Sequence, residues 1–284
     1  MATARTLSLS ALLALAVASG ARAAPNDIKL QGLINVPENG APTVRQDDFR
    51  LLVRDLGVIF TPSPLQPAET TGIAGFDFGI DYSFHPVSFG ADYWQDAVEE
   101  KGNRLPMTIG ARARKGFVLP IPLASEVDVG AQWLIDSQMV NLTANTRIAL
   151  NEGFRYIPDL AVMAGVNRVV GSDDLDLVTV SVGGSISKSF GVFGSFNLCP
   201  FVSYQSIFIN GSTRIIDADP SNTSNVDDNV VFAIVPLNTN RVDRISPGFR
   251  VLFAHVMFST GVDINLLGGN DVLIQYALRG GITF

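Results

Sequence analysis

The 284-residue sequence has a single cysteine, Cys199, and two histidines, His85 and His255. One cysteine cannot form an intramolecular disulfide framework or a CxxC zinc site, and two histidines leave little for a histidine-based metal site. Only four lysines are present (Lys29, Lys101, Lys115 and Lys188) and the formal charge is −7, which argues against nucleic acid as a partner, because phosphate binding needs a cationic face. Charged residues make up 17% of the chain and hydrophobic residues 47%, a balance that excludes a disordered polymer. No G-x-S-x-G is found. Beyond the first two dozen residues, no apolar run is long enough to form a membrane helix. A mean hydropathy of +0.27 must therefore be distributed in another way.

Residues 1–23 read as a cleavable secretory signal. Arg5 gives a positive start, LSLSALLALAVA an apolar centre, and Ala21-Arg22-Ala23 the small-x-small cleavage site. The remainder, 24–284, is expected to be one domain.

Downstream, apolar residues recur at period two, the period of β-strands, whose side chains alternate between faces. Ala74, Phe76, Phe78, Ile80 and Tyr82 share one face, with Asp77, Gly79 and Asp81 on the other. Ile109, Ala111 and Ala113 alternate with Gly110, Arg112 and Arg114; Val127, Val129, Ala131 and Trp133 alternate with Asp128, Gly130, Gln132 and Leu134. Leu142, Ala144 and Thr146 alternate with Thr143, Asn145 and Arg147. The segments are longer than ordinary strands, and the second face is polar, as a wet lumen requires.

The C-terminal segment, VLIQYALRGGITF, carries a resemblance. Phe284, Ile282, Leu278 and Tyr276 fall on one face of a strand that ends in a terminal Phe, with Arg279 on the other. This resembles the C-terminal signature of bacterial outer-membrane β-barrel proteins, in which the last strand is recognised by the barrel-assembly machinery. Ile282, where an aromatic is common, and Gly280 depart from that pattern. The resemblance implies an all-β fold, a transmembrane antiparallel up-and-down barrel in a Gram-negative outer membrane, with lipid and the assembly machinery as partners. It also implies that both termini lie at the periplasmic end and that long loops lie outside.

Working back from the last strand, the expected strands are 272–284, 245–263, 228–237, 195–209, 175–189, 159–169, 139–150, 125–135, 104–116, 71–84, 47–60 and 28–36. That makes about 12, with 10 as the alternative if 228–237 and 28–36 are dropped. The long external loops are then 85–103 and 210–227, and 239–243 is a periplasmic turn.

By parity Asp77, Asp81, Arg112, Arg114, Asp128, Gln132, Asn145, Arg147 and Arg279 point into the lumen. They would either set up a transverse field in a pore or form a static salt-bridge network. The expected function is a porin-like channel for passive diffusion of small polar solutes or ions. The alternative is a non-conducting structural or surface-interaction barrel, and an outer-membrane enzyme comes last. His255 and Ser259 lie about 13 Å apart along one strand, too far to form a catalytic pair. No cofactor and no metal are expected. In the loop 85–103, Asp92, Tyr93, Trp94, Ala97 and Val98 suggest a short helix. It would serve as an interfacial aromatic anchor first, and otherwise as an inward cap or a partner-binding surface. The acidic residues of 210–227 (Asp217, Asp219 and Asp227) match no calcium loop and are expected to be solvated.

Overall fold

The computed structural model describes residues 24–37, 41–86, 90–100, 105–118, 123–192, 194–218, 229–268 and 271–284. The expected signal segment, Asp219, Asp227 and the second half of the expected loop 210–227 lie outside these residues.

Ten antiparallel strands follow one another around a closed barrel: β1 (Phe76–Phe84), β2 (Met107–Val118), β3 (Ala124–Leu134), β4 (Val140–Asn151), β5 (Asp159–Val170), β6 (Leu175–Ser187), β7 (Phe196–Thr213), β8 (Arg241–Phe253), β9 (Val256–Leu266) and β10 (Val272–Thr283). Each pairs with its sequence neighbours. β10 closes on β1 through Tyr276↔Phe84 to Thr283↔Asp77, so no barrel edge is left open. A short strand, Phe190–Val192, folds back on the start of β7.

The alternation read from sequence holds along the walls. Phe78, Ile80, Val129, Leu142, Val182 and Tyr276 are exposed on the outside, while Asp77, Arg112, Asn141, Thr179 and Arg279 are buried inside. The longer connections, 85–106 and 214–240, leave one end of the barrel, and turns as short as 254–255 leave the other. In a transmembrane barrel the long connections mark the outer end. Phe284 lies at the inner end, where it exchanges backbone hydrogen bonds with Phe76.

The count of twelve strands is corrected to ten. Segment 47–60 is not a strand but most of a helix, α1 (Gln46–Phe60). Segment 28–36 contributes a 3-10 turn, Leu30–Leu33, and a two-residue strand outside the barrel. Among its described residues, segment 228–237 holds only the pair Asn229–Val230 and a bridge at Val235. Segment 245–263 is two strands, β8 and β9, reversing at Ala254 and His255, with Ala254 at φ 51°. This extra reversal moves residues 239–240 from the inner end to the outer one. The expectation that both termini share the periplasmic end is also corrected, because residues 24–37 lie at the outer end.

α1 forms because Phe49, Leu52, Val53, Leu56 and Phe60 repeat at helical spacing, and Asp47 and Asp48 sit favourably in its first turn. It lies inside the outer mouth of the barrel. Its apolar side chains pack with inward-facing Leu134, Val169, Leu177, Ile207, Ile209 and Val242 from the wall. A second helix, α2 (Asp92–Ala97), lies over it, with Tyr93, Trp94 and Ala97 buried in the same cluster. The described part of the loop 85–103 therefore folds inward as a cap, and Tyr93 and Trp94 are buried in it, not interfacial anchors.

Candidate functional site

The lumen of the barrel is occupied by the chain itself. α1 enters from the outer end, and residues 61–71 continue as a strap down the interior to the start of β1. The wall is built in two storeys to match. Around α1 the inward positions are apolar; around the strap they are polar and charged.

A helix leaves its last carbonyls without intrahelical donors, and in a closed lumen water cannot freely supply them. Here the wall supplies them. Thr61 returns its own N–H and hydroxyl to Gly57 O (3.1 and 2.7 Å). Arg244 on β8 donates to Val58 O at 2.8 Å. Gln132 on β3 reaches Ile59 O at 3.5 Å, and Asn141 on β4 donates to Phe60 O at 2.6 Å. The Arg244 guanidinium also donates to Thr61 O and Asn265 Oδ1 (2.8 and 2.7 Å), and its side chain is fully buried. A positive charge at a helix C-terminus is favoured by the macrodipole as well.

The strap, TPSPLQPAETT, contains Pro62, Pro64 and Pro67, three residues with no N–H to satisfy. Its carbonyls are taken up by guanidiniums: Arg112 donates to Ser63 O (3.3 Å) and Arg147 to Pro67 O (2.8 Å). Several of its donors find the wall too, while the buried Gln66 amide has no partner among the described residues. Ser63 bonds Asp263 at 2.9 Å, Ala68 N bonds Ser187 Oγ at 2.9 Å, Thr70 N bonds Glu152 at 2.9 Å and Thr71 N bonds Glu126 at 3.2 Å. Glu69 pairs with Arg250 at 2.7 Å.

Below the strap the inward-facing charges pair with one another. Asp77, fully buried, accepts from Arg279 (2.6 Å) and Arg114 (3.2 Å). Asp81 pairs with Arg112 and with Arg279 (2.9 Å). Glu126 holds Arg114 (2.8 Å) and Arg147 (3.2 Å), and Asp128 lies 3.7 Å from Arg112. Gln132 donates to Thr108 (2.6 Å) and Asn145 to Thr143 (3.0 Å). All nine residues read as lumen-facing thus point into the interior, where the seven charged ones meet each other or the strap and Gln132 and Asn145 bond neighbouring threonines. Two cavities beside the strap measure about 40 and 10 Å3, each with room for no more than a few water molecules.

The cap is clamped onto α1. Tyr93 donates to Asp55 at 2.6 Å, and Arg45 pairs with Asp96 at 2.7 Å. Burial pushes the Asp55 carboxyl above its usual range, and Asp96 and Asp48 raise Arg45. His85, just beyond β1, is buried with Nε2 2.9 Å from Thr108 Oγ1. Burial and the nearby Arg244 charge push its imidazole down to about 3. His255 stacks on Phe284 (5.4 Å between ring centroids) in the β8–β9 turn, and Cys199 is buried in the wall. Phe284, Ile282, Leu278 and Tyr276 all face outward.

Sequence reasoning missed α1, the strap and Arg244. A signal for them was present. In a wet lumen the inward positions should be polar, yet Leu134, Leu175, Leu177, Ile207, Ile209 and Leu273 are apolar on the inward parity, all near the outer ends of their strands.

A closed antiparallel barrel with an apolar exterior and a polar, self-filled interior is the architecture of an outer-membrane β-barrel. Comparison with solved structures finds chains of that architecture. The COG4313 outer membrane channel from Pseudomonas putida F1 is 11% identical with a TM-score of 0.37, covering 79% of this chain and 99% of that one. LpxR from Salmonella typhimurium is 12% identical with a TM-score of 0.33, covering 73% and 99%. Ail, the attachment invasion locus protein of Yersinia pestis, is 10% identical with a TM-score of 0.27, covering 75% and 100%. Each is a distant likeness. No protein-family model and no curated protein matches the chain.

Proposed function

We propose that the chain is a bacterial outer-membrane β-barrel closed by its own N-terminal segment, which blocks solute passage in this state and leaves the outer cap as the surface open to partners. The observation that carries this reading is the filled lumen. α1 and the strap run its length, and wall side chains from β2, β3, β4 and β8 hydrogen-bond their main chain. A freely open porin needs a hydrated passage through the same space, so the geometry favours the non-conducting barrel over the passive channel. Lipid contacts the apolar exterior, and the assembly machinery acts on the last strand during biogenesis.

Planar-bilayer conductance tests the reading on protein whose gel mobility changes on heating, a sign of a folded barrel. The wild-type chain is expected to give no sustained channel steps. Arg244→Ala, which unseats the end of α1, is expected to open in discrete steps. Stable ion-selective steps from the wild type would overturn the closed-barrel reading and restore the porin-like one.

A further inference from the structure

The first described residue, Ala24, and the last, Phe284, lie on opposite sides of the barrel. An even number of strands returns the polypeptide to the end where it began, so β1 starts and β10 finishes together at the inner end, bonded through Phe76 and Phe284. The segment before β1 crosses the lumen once more. Residues 24–31 consequently dock on the outer turns. Asn26 N donates to Asp136 O (2.8 Å) and Asn26 Nδ2 to Ile135 O (2.9 Å), in the β3–β4 turn. Gln138 N donates to Asp27 (2.6 Å), and Lys29 N donates to Ala97 O of α2 (2.8 Å). Leu30 N donates to Asp174 in the β5–β6 turn (3.1 Å).

The lumen holds this crossing segment largely through its main chain. The carbonyls of residues 58 to 63 and 67, and the N–H groups of 68, 70 and 71, are taken by wall side chains. Main-chain bonds do not depend on the side chains of the guest. The lower lumen therefore grips the non-helical strap by its backbone, with the guanidiniums of Arg112, Arg147 and Arg244 donating to the carbonyls of residues 61–63 and 67.

We infer that the protein threads its own barrel from outside to inside, so that Ala24 is presented on the outer face of the membrane while Phe284 stays on the periplasmic side. This rests on the outer-membrane reading above. It adds a display function: any polypeptide joined ahead of Ala24 is carried outside by the ten strands and the luminal strap.

Cysteine accessibility tests it in the full chain, with the native thiol removed as Cys199→Ser. Pro25→Cys marks the N-terminal end, Ser172→Cys the outer β5–β6 turn and Arg155→Cys the inner β4–β5 turn. Intact cells are treated with a polymer-bound maleimide too large to cross the outer membrane. Pro25→Cys and Ser172→Cys are expected to label on intact cells, and Arg155→Cys only after lysis. Labelling of Ser172→Cys with Pro25→Cys reactive only after lysis overturns the threading and leaves the barrel reading intact. If Ser172→Cys also labels only after lysis, the orientation and the threading fail together. An epitope inserted after Ala24 and probed by antibody on intact cells repeats the test where Pro25→Cys disturbs the fold.

Discussion

At the scale of single residues, Arg244 decides whether the end of α1 can lie in the lumen. It is a wholly buried cation that bonds three strap and helix carbonyls together with Asn265, with Asp263 at 3.7 Å. Removing one partner from such a buried network costs about 3–5 kcal/mol. Arg244→Ala is expected to lower folded-barrel stability by that order in urea unfolding in detergent micelles. Arg244→Lys is expected to recover only part of it, because a point charge cannot reproduce the planar fork. His85 gives a pH prediction. Its folded value of about 3 lies below the ordinary 6.5, so between these limits the unfolded chain binds more protons than the folded one. Its contribution is complete above pH 6.5 and is lost as pH falls toward 3, at about 1.4 kcal/mol per pH unit at most. Asp55 works in the opposite sense: its raised carboxyl favours the folded state more at acid pH. Unfolding midpoints measured from pH 7 to 4 should fall less steeply in His85→Asn than in the wild type and more steeply in Asp55→Asn. Identical slopes would remove both assignments.

At the scale of elements, the wall strands were legible because alternation at period two is a strong signal when one face meets lipid and the other a polar interior. Their number was not. Residues 47–60 carry apolar side chains at 49, 52, 53, 56 and 60, a helical spacing, but the adjacent run Val58-Ile59-Phe60 also reads as extended chain. The β8–β9 reversal at Ala254 and His255 carries no Gly, Asn or Pro, so two strands looked like one long one. The packing of α1 gives its own test. A Cβ on Gly57 would sit 2.6 Å from the Ile209 side chain, and one on Gly211 would sit 2.6 Å from that of Val53, so at both places a bare glycine backbone packs directly on a side chain of the other element. Gly57→Leu is expected to push α1 off β7, lower stability by about 1–3 kcal/mol and produce channel steps in a bilayer. A variant as silent and as stable as the wild type would show that this contact does not hold the helix in place.

At the scale of the whole molecule, barrel class and exterior were readable from sequence, and so was the inward direction of Asp77, Asp81, Arg112, Arg114, Asp128, Gln132, Asn145, Arg147 and Arg279. What fills the barrel was not. Parity gives the direction of a side chain but says nothing about which distant segment it meets, and the strap's side-chain hydrogen bonds to the wall bridge from 49 residues (Ser63 to Arg112) to 200 (Ser63 to Asp263) of sequence. The central claim is that α1 lies in the outer mouth against β7, and a disulfide tests it most directly. A Cβ on Gly211 would lie 3.2 Å from that of Val53, near the 3.5–4.5 Å that a disulfide spans. The pair Val53→Cys and Gly211→Cys, with Cys199→Ser, is expected to cross-link in membrane-embedded, heat-modifiable protein, holding together the fragments made by cleavage between them until a reductant is added. Val53→Cys paired with Gly153→Cys, at the inner end, should not cross-link. Failure of the first pair to cross-link in folded barrel under oxidising conditions would contradict the luminal helix, and with it the closed barrel.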